Sequence, residues 1–371
     1  MRIVIDAIPL IGPLTGVGNC VYHLVTEFRR LRPDLDTTYF YGYFSRKLRF
    51  SAKTNGNLSQ FAKELIKKNP ILSSCARNLK STVAGLQLRK YDLYFEPNFI
   101  PLGIRAKNMV TTVYDFSFHL YPEWHPKERV EYFSKNFFPR IQKTDFIVTT
   151  SKYVAREARE ILKIEEARIK TIYLGCNAVF NTDEDDKIKL NLPENYLLFV
   201  GSLEPRKNLV SLLNAYALLP NYLKKEFKLL LVGFKGWENV EIFRLLNKMK
   251  GHVEYLGYLG DEELAHLYRK ATCFVYPSLY EGFGLPPLEA MACGCPVVVS
   301  NGASLPEVCG QAAYYIDPLQ VESIAEGICR VVADEALRQS LIQKGLERAK
   351  LFSWEKTAEE HLKLFEEALG S

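Results

Sequence analysis

Short apolar runs alternate with amphipathic stretches along most of the chain, and glycine or proline marks many of the joins. Arg2 to Ala7, Thr37 to Phe44, Asp92 to Phe95, Met109 to Tyr114, Phe146 to Thr149 and Ile169 to Leu174 read as strands. Most of them run on as apolar residues instead of alternating, the pattern of strands covered on both faces. Helical periodicity lies between them at about Gly18 to Leu31, Lys127 to Gln142 and Ser151 to Leu162, the last capped by Thr150 and Ser151. Strand, crossover helix, strand is the unit of a doubly wound parallel sheet. The rhythm stops in the polar stretch Asn177 to Pro193 and restarts with strands at Tyr196 to Val200, Lys228 to Val232, Val253 to Leu256, Cys273 to Tyr276 and Pro296 to Val299. Helical patterns follow at Glu322 to Ala333, Glu335 to Lys350 and Trp354 to Leu369. The division predicted is a domain over 1–176, a second over 177–352 and a terminal helix over 353–371.

Composition adds bounds. A chain of 371 residues exceeds what one core serves, which agrees with two domains. Hydrophobic content of 47% with 25% charged residues is that of a soluble globular protein. A net charge of +5 is too mild to imply nucleic acid. The eight cysteines are scattered, and Cys293-x-Cys295 lacks a second pair at zinc spacing, so packing thiols in a reducing, cytoplasmic setting are expected. The opening M-R-I-V-I-D-A-I-P-L reads as a buried strand and not a signal peptide, and no run approaches the ~20 apolar residues of a membrane span.

The densest chemistry lies between Tyr276 and Ser300. A strand runs into a loop with Gly282 and Gly284, Pro286 and Pro287 suit the first turn of a helix, and Gly294 can close it. N–H groups at such a helix start attract an anion such as a diphosphate. Glu281 stands before this cradle and Glu289 about a turn inside the helix, where both could accept hydrogen bonds from hydroxyls. In G-S-L-E-P-R-K-N-L, Gly201 to Leu209, Arg206 and Lys207 follow a strand and could neutralise a diphosphate; exposed cations at a helix start are the alternative. Thr15-Gly16-Val17-Gly18 is a weak phosphate loop, lacking the full glycine fingerprint and the Walker lysine. Glu96-Pro97-Asn98 and Tyr114-Asp115 follow strands, where doubly wound sheets place ligands, although Asp115 could equally cap a helix. His119 and His125 read as surface histidines. Thr182-Asp-Glu-Asp-Asp186 lies in the polar linker and reads as a solvated loop, not a metal site. Between Ser45 and Lys90 eleven basic residues face one acid, Glu64, which is either a solvated helical face or a surface for anionic lipid.

The string G-F-G-L-P-P-L-E-A-M-A-C-G-C-P-V-V after Glu281 resembles the E-x7-E signature of the retaining glycosyltransferases of family four, also described as group 1. Gly201 to Leu209 resembles that family's phosphate element. The resemblance covers nearly the whole chain and is loose from Ser45 to Lys90. It implies the GT-B fold: α/β, two facing Rossmann-like domains with a cleft between them, 1–176 on the acceptor side, 177–352 binding a nucleotide sugar, and 353–371 packing back on the first. The activity implied is transfer of a hexose from a UDP-glucose-like or GDP-mannose-like donor to a hydroxyl of a glycan or lipid-linked acceptor, with retention and without metal or other cofactor. Peripheral contact with the inner face of a membrane goes with such an acceptor. Glu281, Asp115, Lys207 and Arg206 are the implied catalytic residues. The donor would meet Gly16, Gly18, Ser202, Arg206, Lys207, Tyr258, Leu259, Glu281, Gly282, Phe283, Gly284, Leu285 and Glu289, and the acceptor Asn98, Tyr114 and Asp115. Relatives usually carry His-Asp where this chain has Tyr114-Asp115, which leaves open what touches the sugar. A UDP-sugar epimerase of the same fold and a non-catalytic nucleotide-sugar-binding module stay open as alternatives.

Overall fold

A computed structural model describes all residues except 13–15, 51–83, 86, 88, 184–187, 189, 238 and 371. Thr15, the linker acids Glu184 to Asp186, and Glu64 with six of the basic residues between Lys53 and Lys80 lie outside the described residues.

The chain forms two compact units. The first comprises Met1–Thr150, Val154–Tyr173 and Trp354–Ser371; the second comprises Ser151–Tyr153 and Leu174–Ser353. In the first, among the described residues, seven strands run in the order β3-β2-β1-β4-β5-β6-β7. They are β1 (Arg2–Asp6), β2 (Asp36–Phe40), β3 (Phe44–Ser45), β4 (Tyr91–Glu96), β5 (Ala106–Val113), β6 (Phe146–Thr149) and β7 (Ile169–Thr171). All pair in parallel except β3, which turns back antiparallel on β2. The single strand expected from Thr37 to Phe44 is therefore a hairpin, broken where Gly42 takes φ 89°.

In the second unit, among the described residues, six parallel strands run β10-β9-β8-β11-β12-β13. They are β8 (Tyr196–Val200), β9 (Lys228–Val232), β10 (Val253–Gly257), β11 (Cys273–Tyr276), β12 (Val297–Ser300) and β13 (Ala313–Ile316). Every residue of β8, β11 and β12 is buried, as continuous apolar strands covered on both faces require. The helix Val321–Ala333 packs on Leu209–Leu218 and on β13, and Glu335–Ala349 packs on Leu285–Ala292. β13 and the helix Val240–Lys248 are not predicted by the sequence pattern; in β13 the two half-buried tyrosines interrupt the apolar run.

Both sheets have the same winding. Order reverses between β1 and β4 in one and between β8 and β11 in the other, and the loops leaving those strands are where doubly wound sheets receive ligands. Gly233 fixes one such place. At φ 145°, a Cβ there would stand 2.0 Å from the carbonyl oxygen of Gly201, so the turns after β8 and β9 approach closely only through glycine.

Candidate active site

The two loops at the reversal of the second sheet meet around one carboxylate. β8 leads to a 3-10 turn, Pro205–Lys207, closed by Asn208 in the left-handed region, and the helix starts only at Leu209. Arg206 and Lys207 thus precede the helix instead of standing on its first turn; they remain at its positive end, where the Glu281 carboxylate offsets the repulsion. β11 leads through Pro277 to Glu281. Glu281 is 6% exposed and Lys207 7%. Lys207 Nζ donates to Glu281 Oε1 at 2.6 Å, and Arg206 donates to Glu281 Oε2 at 2.9 Å and to Glu204 at 3.0 Å. Tyr276 and Ser278 hydroxyls also donate to Oε1, at 2.9 and 2.5 Å.

Burial alone would raise the Glu281 pKa, but Arg206 and Lys207, with the hydrogen bonds of Lys207 and Ser278, hold it down at about 2. For Lys207, burial and then the Arg206 charge lower the pKa, against the pull of Glu281 and Glu204. An ionised Glu281, held at both oxygens, orients groups and accepts hydrogen bonds; it has no proton to give at neutral pH.

The glycine loop is pinned from behind. Ser304 Oγ bonds to the carbonyls of Glu281 and Phe283, both at 2.8 Å. Gly284, at φ 109°, caps the helix Leu285–Ala292, and a Cβ there would lie 2.7 Å from Leu305. Gly294, at φ 73°, follows that helix as the sequence predicts. With Pro286 and Pro287 in its first turn, two of the four amides usual at a helix start are missing, so the cradle is limited to Gly282 through Leu285. Glu289, half-buried, accepts from the Tyr268 hydroxyl at 3.3 Å; burial and then the Asp261 charge push its pKa up to about 8. Tyr258 is 50% exposed and stacks on Phe234 at 4.2 Å, beside half-buried Leu259. Ser202 is half-buried in the turn after β8. Glu307 accepts from the amides of Lys152 and Tyr153 in the same unit, a bracing role.

The first unit gathers a different set. Gly16 and Gly18 lie within the first turn of the helix Gly16–Leu31, not in a loop before it, and Gly18 is buried. Glu96 closes β4 fully buried, accepting from the Tyr94 hydroxyl and from the amide of Asn98, whose own side chain is exposed. Asp115, after β5, accepts at Oδ1 from the Ser117 amide at 2.9 Å and hydroxyl at 2.7 Å. Tyr114 is half-buried, its ring 5.6 Å from Phe99. His119 is exposed, but His125 is not the expected surface histidine: it is buried, with Nε2 3.0 Å from Ser117 Oγ.

Residues 180–348 match the family model described as glycosyl transferases group 1. The chain is 36% identical over 373 residues to O-antigen chain mannosyltransferase B of Escherichia coli, covering 96% of this chain and 97% of that one. The protein belongs to the group 1 glycosyltransferases. Sucrose-phosphate synthase from Thermosynechococcus elongatus superposes with a TM-score of 0.73 at 22% identity over 99% of both chains. WaaG, a glycosyltransferase involved in lipopolysaccharide biosynthesis, superposes with a TM-score of 0.67 at 15% identity over 98% of this chain and 99% of that one. The fold of this glycosyltransferase is accordingly GT-B, built on two Rossmann-like domains.

Sequence patterns name Arg206, Lys207 and Glu281 of this glycosyltransferase but miss Glu204, Tyr276, Ser278 and Ser304, which hold them. The string Gly201 to Leu209 contains Glu204 two residues from Arg206, a signal that could have been read. Ser304 has no such signal, because its partners lie 21 and 23 residues away.

Proposed function

We propose that this glycosyltransferase moves a mannosyl group from a GDP-linked donor to a hydroxyl of a glycan or lipid-linked acceptor in polysaccharide assembly, with retention at the anomeric carbon. The observation that carries the reading is the buried Glu281 held by Arg206 and Lys207 at the reversal point of the second sheet. The choice of mannose rests on the relative named as an O-antigen chain mannosyltransferase, and UDP-glucose is the competitor.

As the glycosidic bond opens, negative charge grows on the leaving diphosphate and positive charge on the sugar ring. Arg206, Lys207 and the backbone from Gly282 to Leu285 would stabilise the anion, each well-placed donor contributing about 3 kcal/mol. Glu281 accepts hydrogen bonds from the sugar, Glu289 meets the ribose, and Ser202, Tyr258 and Leu259 line the nucleotide. Gly16 and Gly18 are assigned to the donor, and Asn98, Tyr114 and Asp115 to the acceptor. With two protein cations at the diphosphate, this scheme calls for no metal. Same-face attack assisted by the leaving phosphate accounts for retention without a second carboxylate as nucleophile.

The decisive test is a thermal-shift panel of GDP, UDP, ADP and TDP, since a ligand selective for the native state raises its melting temperature. GDP should give the largest shift, and GDP-mannose with octyl mannoside should yield an α-linked product by NMR. No shift with any nucleotide would overturn the reading; a larger shift with UDP would change the donor. No helix among the described residues is long and apolar enough to cross a membrane. Exposed Tyr43, Arg46, Lys47, Arg49 and Phe50 favour peripheral contact with anionic lipid instead. Absence of the protein from pelleted anionic liposomes at physiological salt would remove that part.

A further inference from the structure

Asp115 is the half-buried end of a chain of hydrogen bonds that runs into the interior. Its Oδ1 accepts both the amide and the hydroxyl of Ser117, at 2.9 and 2.7 Å, and Ser117 Oγ lies 3.0 Å from His125 Nε2. A serine hydroxyl has one proton and a carboxylate oxygen only accepts, so that proton goes to Asp115 and Nε2 must donate to Ser117. The direction of every bond, and the histidine tautomer, follow. Ser117 is 3% exposed and His125 6%, so the bond between them is shielded from bulk water, while Asp115 itself is half-buried. Among the described residues nothing donates to Asp115 Oδ2.

The three residue types invite comparison with a nucleophilic triad, but the order is wrong. A triad places the carboxylate on the histidine and leaves the serine to attack. Here the carboxylate takes the serine's own proton, and the serine is buried. The chain has instead the form of a brace that fixes one oxygen of Asp115 and leaves the other to a substrate. The Tyr121-Pro-Glu-Trp124 segment delivers it: Tyr121 stacks on Trp124 at 4.1 Å and 13°, the turn Pro122–Trp124 closes, and His125 follows with its amide on the Pro122 carbonyl.

We propose that Ser117 and His125 are positioning residues for the transfer reaction, orienting Asp115 so that Oδ2 accepts the hydrogen bond of the incoming hydroxyl. The proposal rests on Asp115 having that acceptor-side role, and the variants separate the two ideas. With GDP-mannose as donor and octyl mannoside as acceptor, Asp115→Asn should show the greatest fall in kcat. Ser117→Ala and His125→Leu should each lower kcat roughly ten- to hundredfold, the scale of a misplaced catalytic group, with the Kd for GDP unchanged. His125→Gln, whose amide can donate from about the Nε2 position, should recover most of the loss. The double variant Ser117→Ala with His125→Leu should be no worse than the poorer single one, because the bonds act in series. Wild-type kcat in Ser117→Ala overturns the proposal, as does an equal loss in His125→Gln and His125→Leu at unchanged melting temperature. If His125→Leu fails to fold, Ser117→Ala decides alone. Wild-type kcat in Asp115→Asn would instead remove the acceptor-side role of Asp115 itself.

Discussion

Glu96 and Glu281 are both buried glutamates at the reversal point of a doubly wound sheet, and their ionisation is pushed in opposite directions. Glu96 ends β4 beside Asp6 of β1; burial and then the Asp6 charge raise its pKa well above the ordinary glutamate value. Glu281 follows β11, and there Arg206 and Lys207 overturn the same burial effect and hold the pKa at about 2. The contrast teaches that depth does not decide whether a carboxylate is charged; the cation on the neighbouring loop does. One reversal point braces the loop carrying Asn98 with a carboxyl whose ionisation burial disfavours. The other keeps a full charge in the interior, in the unit that the group 1 glycosyltransferase family model matches.

The largest effect expected is from Lys207→Met. Removing one partner leaves Glu281 underneutralised in a buried site, at a cost of roughly 3–5 kcal/mol. Urea unfolding should show it, with weaker GDP binding by calorimetry; an unchanged midpoint and Kd together would end the contrast. Next comes His361, a third buried ionisable group, whose pKa burial lowers to about 4. Its folded value lies below the unfolded one near 6.5, so its stabilising effect is complete above that range and is lost as pH falls toward about 4. The loss reaches roughly 3 kcal/mol. His361→Leu should flatten the melting temperature between those limits, and an unaltered slope would count against it.

For Glu281→Gln we expect turnover to drop about a hundredfold. Affinity for GDP alone should hold or rise, since the carboxylate no longer competes with phosphate for Arg206 and Lys207; near-normal turnover would make the residue structural. The smallest effect belongs to Glu96→Gln. A raised folded pKa makes the wild-type residue a growing burden as pH climbs above the ordinary glutamate range, so the variant should gain melting temperature relative to wild type as pH rises through and beyond that range. The reverse trend would mean that Glu96 is ionised like Glu281.

Much of the architecture was legible because buried parallel strands write themselves as continuous apolar runs: β8, β9 and β11 fall where the pattern places them. The hairpin of β2 and β3 and the short β13 were not, since β3 has only two residues and the half-buried tyrosines of β13 break the continuous apolar run. In the site, Arg206, Lys207 and Glu281 could be read from local strings, whereas their convergence could not, because it spans 74 and 75 residues of sequence. His125 was misread for a related reason. Its burial depends on Ser117 and a stacked turn, and nothing in its immediate neighbours advertises either.

The helix Trp354–Gly370 belongs to the first unit, where Phe365 lies 5.5 Å from Phe28 and 5.2 Å from Phe95, yet the chain supplies it only after the second unit is complete. During synthesis the first sheet must therefore emerge with Phe28 and Phe95 uncovered and wait while about 180 residues pass through the ribosome, on the order of ten to thirty seconds. Such an interval is long enough for a chaperone to find that exposed patch, and it makes the docking of Trp354–Gly370 the step that seals the first domain.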